Sequence, residues 1–201
     1  TDAVERIKIQ YGTSMAYPVS SMGAHVSAIP NHQVKRMTDV DFRAHVAYFG
    51  AFGYELDPNA MTEDEQEKVK EQIAFFKKYR KLIQFGTFYR LEDPFEGDGN
   101  AAWMSVSPDK KQAVAAYYKV MATPNPKLKK LILTGLDPDK RYYCSRNGRT
   151  YYGDELMNMG LLLDMEFTGS SVRKDSITRK DSGTDAGDYT SQLYVLECVD
   201  N

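Results

Sequence analysis

Apolar positions recur at three- and four-residue steps in the first part of this chain and alternate in the second, with the change of period at Gly86. Before that point, Val4, Ile7 and Tyr11 share one face of a helix that opens at Thr1 and Asp2. Asp2 and Glu5 have the spacing of a capping box, and Gly12 and Pro18 close the segment. Residues 39–54 carry Phe42, Val46, Phe49 and then Phe52 or Gly53 inward, which predicts a second helix. A third opens at Thr62-Glu-Asp-Glu65, a further capping box, and runs to about Gln84 with Val69, Ile73, Phe76 and Ile83 on one side. Its other side bears acids early and bases late, which complements the helix dipole and reads as a solvated face.

Residues 23–29, closed by Pro30, form a short run of small and β-branched residues and predict a strand buried on both faces. A buried strand followed by amphipathic helices reads as an α/β barrel or a doubly wound sheet. No other stretch reads as such a strand, so this unit is expected to hold one short strand and to be cut off at Thr1. The helical stripes need cover. The helix from Thr62 is expected to lie on the following strands, since only Gly86 intervenes, and the helix over 39–54 to lean on a neighbouring molecule.

After Gly86, residues 87–91, 101–106, 112–121, 130–133, 141–144 and 192–199 are strand-like, separated by turn signals such as Glu96-Gly-Asp-Gly-Asn100 and Pro124-Asn-Pro126. Arg141 to Asn147 and Gly148 to Tyr152 straddle an Asn-Gly step, a strong hairpin signal. Strands at this spacing predict an antiparallel sandwich. The fold class is therefore α+β, with residues 1–85 helical and residues 86–201 an all-β sandwich. The stretch 168–187 is polar and charged and reads as a surface excursion.

Composition narrows the function classes. At 201 residues the chain is one or two domains. Lys plus Arg is 26 against 28 Asp plus Glu, a net of −2, which points away from nucleic acid. No apolar run approaches the ~20 residues needed to cross a bilayer, and no signal-peptide pattern opens the chain, so no membrane and a cytoplasmic location are expected. Cys144 and Cys198 lack CxxC spacing and are either reduced thiols or one disulfide. His45 has no second ligand type three or four positions away, so no metal is expected. His25, inside the strand, reads as a packed residue. Trp103 suits either a sugar platform or the core, and its alternation with Ala101 and Val106 favours the core. Abundant tyrosine suits a β-rich protein and also sugar-binding surfaces.

Several blocks together carry a family resemblance. Thr1-Asp-Ala-Val-Glu-Arg6, Met22-Gly-Ala-His-Val-Ser-Ala-Ile-Pro-Asn-His-Gln33, Phe52-Gly-Tyr-Glu-Leu-Asp57, Gly86-Thr-Phe-Tyr-Arg-Leu91, Gly135-Leu-Asp-Pro138 and Ser191-Gln-Leu-Tyr-Val-Leu196 resemble, in collinear order, the microbial α-galactosidases of glycoside hydrolase family 36. The resemblance implies the C-terminal remnant of a (β/α)8 catalytic barrel followed by a C-terminal antiparallel β-domain. It implies a retaining glycosidase without cofactor, a galactoside substrate and a homo-oligomer. The family's acid/base aspartate sits in a Trp-Thr-Ser-Asp-(Asp/Asn)-Thr-Asp block whose last two residues match Thr1 and Asp2. The acid/base is thus expected two residues before Thr1 and the nucleophile further upstream, in a Lys-Trp-Asp block. No catalytic residue is expected in this chain, and Asp2 is explained by helix capping. Asn31 and His32, in the loop after the strand, are candidates to line the barrel mouth, either bonding sugar hydroxyls or bracing the loop. Two other readings weigh against an enzyme fragment: a non-catalytic carbohydrate-binding module, and a structural or oligomerisation β-domain.

Overall fold

A computed structural model of the chain describes residues 1–124, 126–164 and 187–199. The polar stretch 168–187 lies outside the described residues except for Gly187. The first helix, α1 (Ala3–Thr13), is capped by Asp2, whose side chain accepts from the Val4 and Glu5 N–H groups. The strand β1 (Gly23–Ser27) follows after a single turn at Val19–Ser21. Next come α2 (Val40–Ala47), β2 (Ala51–Glu55) and the long α3 (Glu63–Phe85). At the start of α3 the capping box closes in both directions, with Thr62 Oγ1 accepting from Glu65 N at 3.2 Å and Glu65 Oε2 accepting from Thr62 N at 3.0 Å.

The expectation of one short strand is corrected here. β2 lies parallel to β1 in register Gly23↔Ala51 through Ser27↔Glu55, where the sequence pattern continues a helix to Tyr54. The cause is local. Gly50 sits so close to β1 that a Cβ on it would meet Ala24 Cβ at 2.6 Å and the Met22 carbonyl oxygen at 2.8 Å. The chain leaves the helix at Tyr48, passes through this contact, and Phe52 and Tyr54 then alternate onto the helix-covered side of the strand pair. Helical spacing through Phe52 is a coincidence of aromatic positions.

The C-terminal part is a six-stranded antiparallel sheet in the order β3-β4-β5-β10-β7-β8. Its strands are β3 (Thr87–Glu92), β4 (Ala101–Val106), β5 (Gln112–Lys119), β7 (Arg141–Cys144), β8 (Arg149–Tyr152) and β10 (Thr190–Cys198). The hairpin expected at Asn147-Gly148 forms, with Cys144 opposite Arg149 and Gly148 at φ 67°. A second small layer, β6 (Lys130–Leu131) paired with β9 (Leu161–Leu162), lies over one face together with the short α4 (Gly153–Asn158). The sequence pattern anticipates neither α4 nor β9, because each is too short to establish a period. Cys144 and Cys198 form no disulfide.

Residues of β4 and β5 alternate between two cores. Trp103, Val114, Ala116 and Tyr118 face the helices, and Ala102, Met104, Ala115 and Tyr117 face β6, β9 and α4. The apolar stripe expected over 39–54 calls for a neighbouring molecule, but Phe42 and Val46 of α2 and Phe49 just beyond it are buried within the chain at 2%, 0% and 1% exposure. The sheet supplies their cover. Phe42 meets Tyr118 edge-on at 6.4 Å, and Phe49 meets Trp103 at 6.0 Å. The C-terminal half of α3 also lies on the sheet, with Ser105 Oγ donating to Ile83 O at 3.1 Å. Trp103 is therefore a core residue.

The seat of α2 is polar at one point. Tyr118 OH donates to His45 O at 2.7 Å, and His45 Nδ1 lies 2.8 Å from Ser191 Oγ. Burial lowers the His45 pKa to about 4, against the pull of Asp41, with Arg146 adding to the lowering. The folded value lies below the ordinary 6.5, so protonation favours the unfolded chain. Stability is complete above pH 6.5 and falls as pH drops from there toward 4. His45 keeps a little accessible surface, so a contribution of roughly 2 kcal/mol is expected to be lost between pH 7 and 4.5. Urea midpoints across that range should fall steeply for the native chain and less steeply for His45→Gln.

Candidate active-site mouth

Strands β1 and β2 end together at Ser27 and Glu55. Parallel strands that feed helices build their sites at this C-terminal edge, from the loops that follow. Here those loops are residues 28–39 and 56–62. The segment before α1 reaches the same edge, since Ser27 Oγ donates to Thr1 O at 3.1 Å. Arg43, 4% exposed, donates from Nη1 to Ser27 O at 2.7 Å and places Nη2 3.9 Å from Glu65. Burial holds the Arg43 guanidinium below its usual range, against the opposing charges of Glu65, Asp39 and Asp41.

The loop after β1 is closed by its own polar groups. Asn31, 4% exposed, accepts at Oδ1 from the Gln33 and Val34 N–H groups, both at 3.0 Å. Its backbone N–H donates to Arg36 O and its carbonyl accepts from Lys35 N, each at 2.9 Å. This is an Asx turn, in which a short amide side chain replaces backbone partners. The Asn31 side-chain oxygen is thereby committed to the loop, whereas His32 is exposed. The closed loop delivers Arg36 to Asp2, whose Oδ2 accepts from Arg36 Nη1 as well as from Val4 N and Glu5 N. Three donors on one buried oxygen make Asp2 an anchor for the start of α1.

The other face of the strand pair is open. It carries Gly23, His25 and Ser27 opposite Ala51, Gly53 and Glu55. The expectation of a packed His25 is corrected: it is exposed on this face, because Ala24 and Val26 take the helix-covered side and strand residues alternate. Its ring lies over Gly53, where a Cβ would come within 2.9 Å of Cδ2. Arg6 Nη2 donates to Gly23 O near the opposite end of the pair. Sequence patterns alone do not single out Arg36, Arg43 or Glu55. The available signal was the Lys35-Arg36 pair in the loop after a buried strand and, for Arg43, a basic residue inside an apolar helical stretch. Among the described residues, no group of three or more His, Cys, Asp or Glu side chains is placed to hold a metal ion, and no helix is long and apolar enough to cross a membrane.

Removing the Asn31 amide leaves the Gln33 and Val34 N–H groups without their acceptor. Asn31→Ala should therefore cost about 1–2 kcal/mol in urea denaturation. Asn31→Asp, whose carboxylate accepts the same two bonds, should retain most of that stability.

Comparison with known proteins adds what geometry leaves open. The family model Melibiase matches residues 1–86, and the model for the Glycosyl hydrolase family 36 C-terminal domain matches residues 100–196. Alpha-galactosidase AgaA of Geobacillus stearothermophilus is 55% identical over 163 residues, which is 81% of this chain and 22% of that protein. Alpha-galactosidase Mel36A of Lactobacillus acidophilus is 46% identical over 199 residues, 99% of this chain and 24% of that protein. A solved structure of doubly substituted GH36 alpha-galactosidase AgaA from Geobacillus stearothermophilus, in complex with raffinose, superposes with a TM-score of 0.87 at 47% identity, covering 99% of this chain and 25% of that one. One of its two substitutions replaces an aspartate by asparagine. The chain thus spans about a quarter of the length of these relatives.

Proposed function

This chain belongs to glycoside hydrolase family 36, and we propose that it is the C-terminal part of a retaining α-galactosidase that releases terminal α-linked galactose from oligosaccharides such as raffinose or melibiose. The observation that carries this reading is the collinear match of 99% of the chain to an alpha-galactosidase at 46% identity. The strand pair supports it as well, because a two-stranded parallel sheet with helices on one face and small or polar residues on the other is what a segment of a (β/α)8 barrel requires. In this reading residues 1–85 complete the barrel and residues 86–201 form the C-terminal β-domain.

Retaining hydrolysis needs two carboxylates about 5–5.5 Å apart. One attacks the anomeric carbon. The other protonates the departing oxygen and then activates water. Both are assigned upstream of Thr1, the acid/base two residues before it. This chain contributes two strands of the barrel wall, the loop held by Asn31, with His32 on its exposed side, and the anchoring of Asp2 beside the acid/base segment. The whole protein is assigned as a homo-oligomer acting in the cytoplasm, a compartment whose reducing conditions suit cysteines that form no disulfide.

A carbohydrate-binding role for the β-domain has one observation in its favour. Tyr143 and Tyr152 are exposed at 41% and 54% on the same edge hairpin. The burial of Trp103 and Tyr118 beneath the helices favours instead a domain that supports the barrel.

The test is hydrolysis by the full-length protein. It should cleave an aryl α-galactoside and raffinose with retention of configuration, and Asn in place of the aspartate two residues before Thr1 should reduce raffinose turnover by about 10²-fold or more. Failure of the full-length protein to cleave any α-galactoside overturns the reading. So does activity that survives that substitution and is lost in Asp2→Asn.

A further inference from the structure

Asp2, Arg36 and Tyr189 come from three distant parts of the chain and meet at one point beside the barrel mouth. Asp2 is 6% exposed and lies at the head of α1. Arg36, at the end of the Asn31 loop, bonds the Asp2 carboxylate. Its guanidinium carbon lies 5.2 Å from the centroid of the Tyr189 ring. Tyr189 immediately precedes β10 and has φ 57°, a left-handed conformation that a bulky side chain adopts only under constraint. Its N–H is fixed at 3.1 Å to Val120 O, just beyond the end of β5. Burial works against the Arg36 charge, but the Asp2 carboxylate and hydrogen bonds to Asp2 and Tyr189 together hold its pKa above the ordinary value.

Helix capping by itself needs only the bonds from Asp2 to Val4 N and Glu5 N. Arg36 and Tyr189 go further, because they tie the residue before α1 to the central strands of the β-sheet. Ser27 fixes the preceding carbonyl, Thr1 O, from the end of β1. The backbone entering α1 is thus held from the barrel side and the β-domain side at once.

We propose that Arg36 is a positioning residue for the general acid: by tying Asp2 to Tyr189 it sets the backbone that carries the acid/base carboxylate two residues before Thr1. This rests on the assignment made under Proposed function. Proton transfer needs the acid within about 2.6–3.2 Å of the departing oxygen, and a displacement of about 1 Å can cost on the order of 10²-fold in rate. The β-domain then has a mechanistic part, acting on the acid through Tyr189 and Arg36.

The experiment uses the full-length protein and two substrates that differ in their need for an acid. Raffinose has a poor leaving group, whereas dinitrophenyl α-galactoside departs without protonation. Arg36→Ala should lower kcat/KM on raffinose about 10–100-fold and leave dinitrophenyl galactoside within a few-fold of the native value. Loss of the nearby cation should also move the basic limb of the raffinose pH profile upward, since a carboxyl without it holds its proton longer. Arg36→Lys, which keeps the charge, should restore the limb and only part of the rate. Tyr189→Leu should show a weaker form of the same raffinose-selective loss. If Arg36→Ala does not fold, Arg36→Lys and Tyr189→Leu decide the matter. Equal losses on both substrates, or no loss on raffinose, overturn the proposal. A native protein that cleaves neither substrate overturns the assignment of activity instead.

Discussion

The structure depends on one requirement: the central strands of the six-stranded sheet are apolar on both faces, and both faces must be covered. Every residue of β4 is buried, and so are the six inner residues of β5. Small residues make this possible, because Ala101, Ala102, Ala113, Ala115 and Ala116 let layers approach closely from both sides. One face is covered by β6, β9 and α4, and the other by α2 and the end of α3. Burial of each large side chain is worth about 1.5–3 kcal/mol. Phe42, Phe49, Trp103 and Tyr118 together therefore rival the roughly 5–15 kcal/mol margin of a typical domain. Separating the helices from the sheet would expose all four, so the change of period at Gly86 is not a boundary in the packing.

That shared core fixes the strand pair indirectly. Helix α2 is sandwiched, with its Phe42 and the following Phe49 toward the sheet and the buried Ala24 and Val26 of β1 in the same cluster. Gln10 reaches in from α1, donating to Val46 O at 2.9 Å and to Phe49 O at 3.2 Å, which closes the C-terminal end of α2. The sheet, α2 and the strand pair thus stand as successive layers. The edge where β1 and β2 end inherits its position from them. Tyr189 and Arg36 extend the same coupling along the surface to the head of α1.

Long elements are legible in the sequence, and short or tertiary ones are not. The Thr62–Glu65 capping box and the charge gradient behind it specify α3 locally, and the Asn147-Gly148 step specifies the β7–β8 hairpin in the same way. The blocks shared with the family are enough on their own to place the chain at the end of a barrel. The residues at the edge where β1 and β2 end are read less completely. Asn31 stands out from its place after β1, but the commitment of its oxygen to Gln33 and Val34 depends on loop closure. Arg36 and Arg43 escape because a charged residue in a sequence gives no sign that a buried acceptor awaits it.

Local chemistry alone determined the caps, the turns, the alternation of β4 and the amphipathic face of α3, since each rests on groups within a few residues of one another. Tertiary structure decided the rest. Residues 51–55 became a strand because β1 offered a parallel partner that Gly50 could approach, and a lone five-residue segment has no strong preference of its own. Helix α2 found its cover inside the chain because the distant Trp103 and Tyr118 lie beneath it. Asp2 became a buried anchor because Arg36 arrives from 34 residues away. Such contacts join positions remote in sequence, and no pattern of neighbours can specify them.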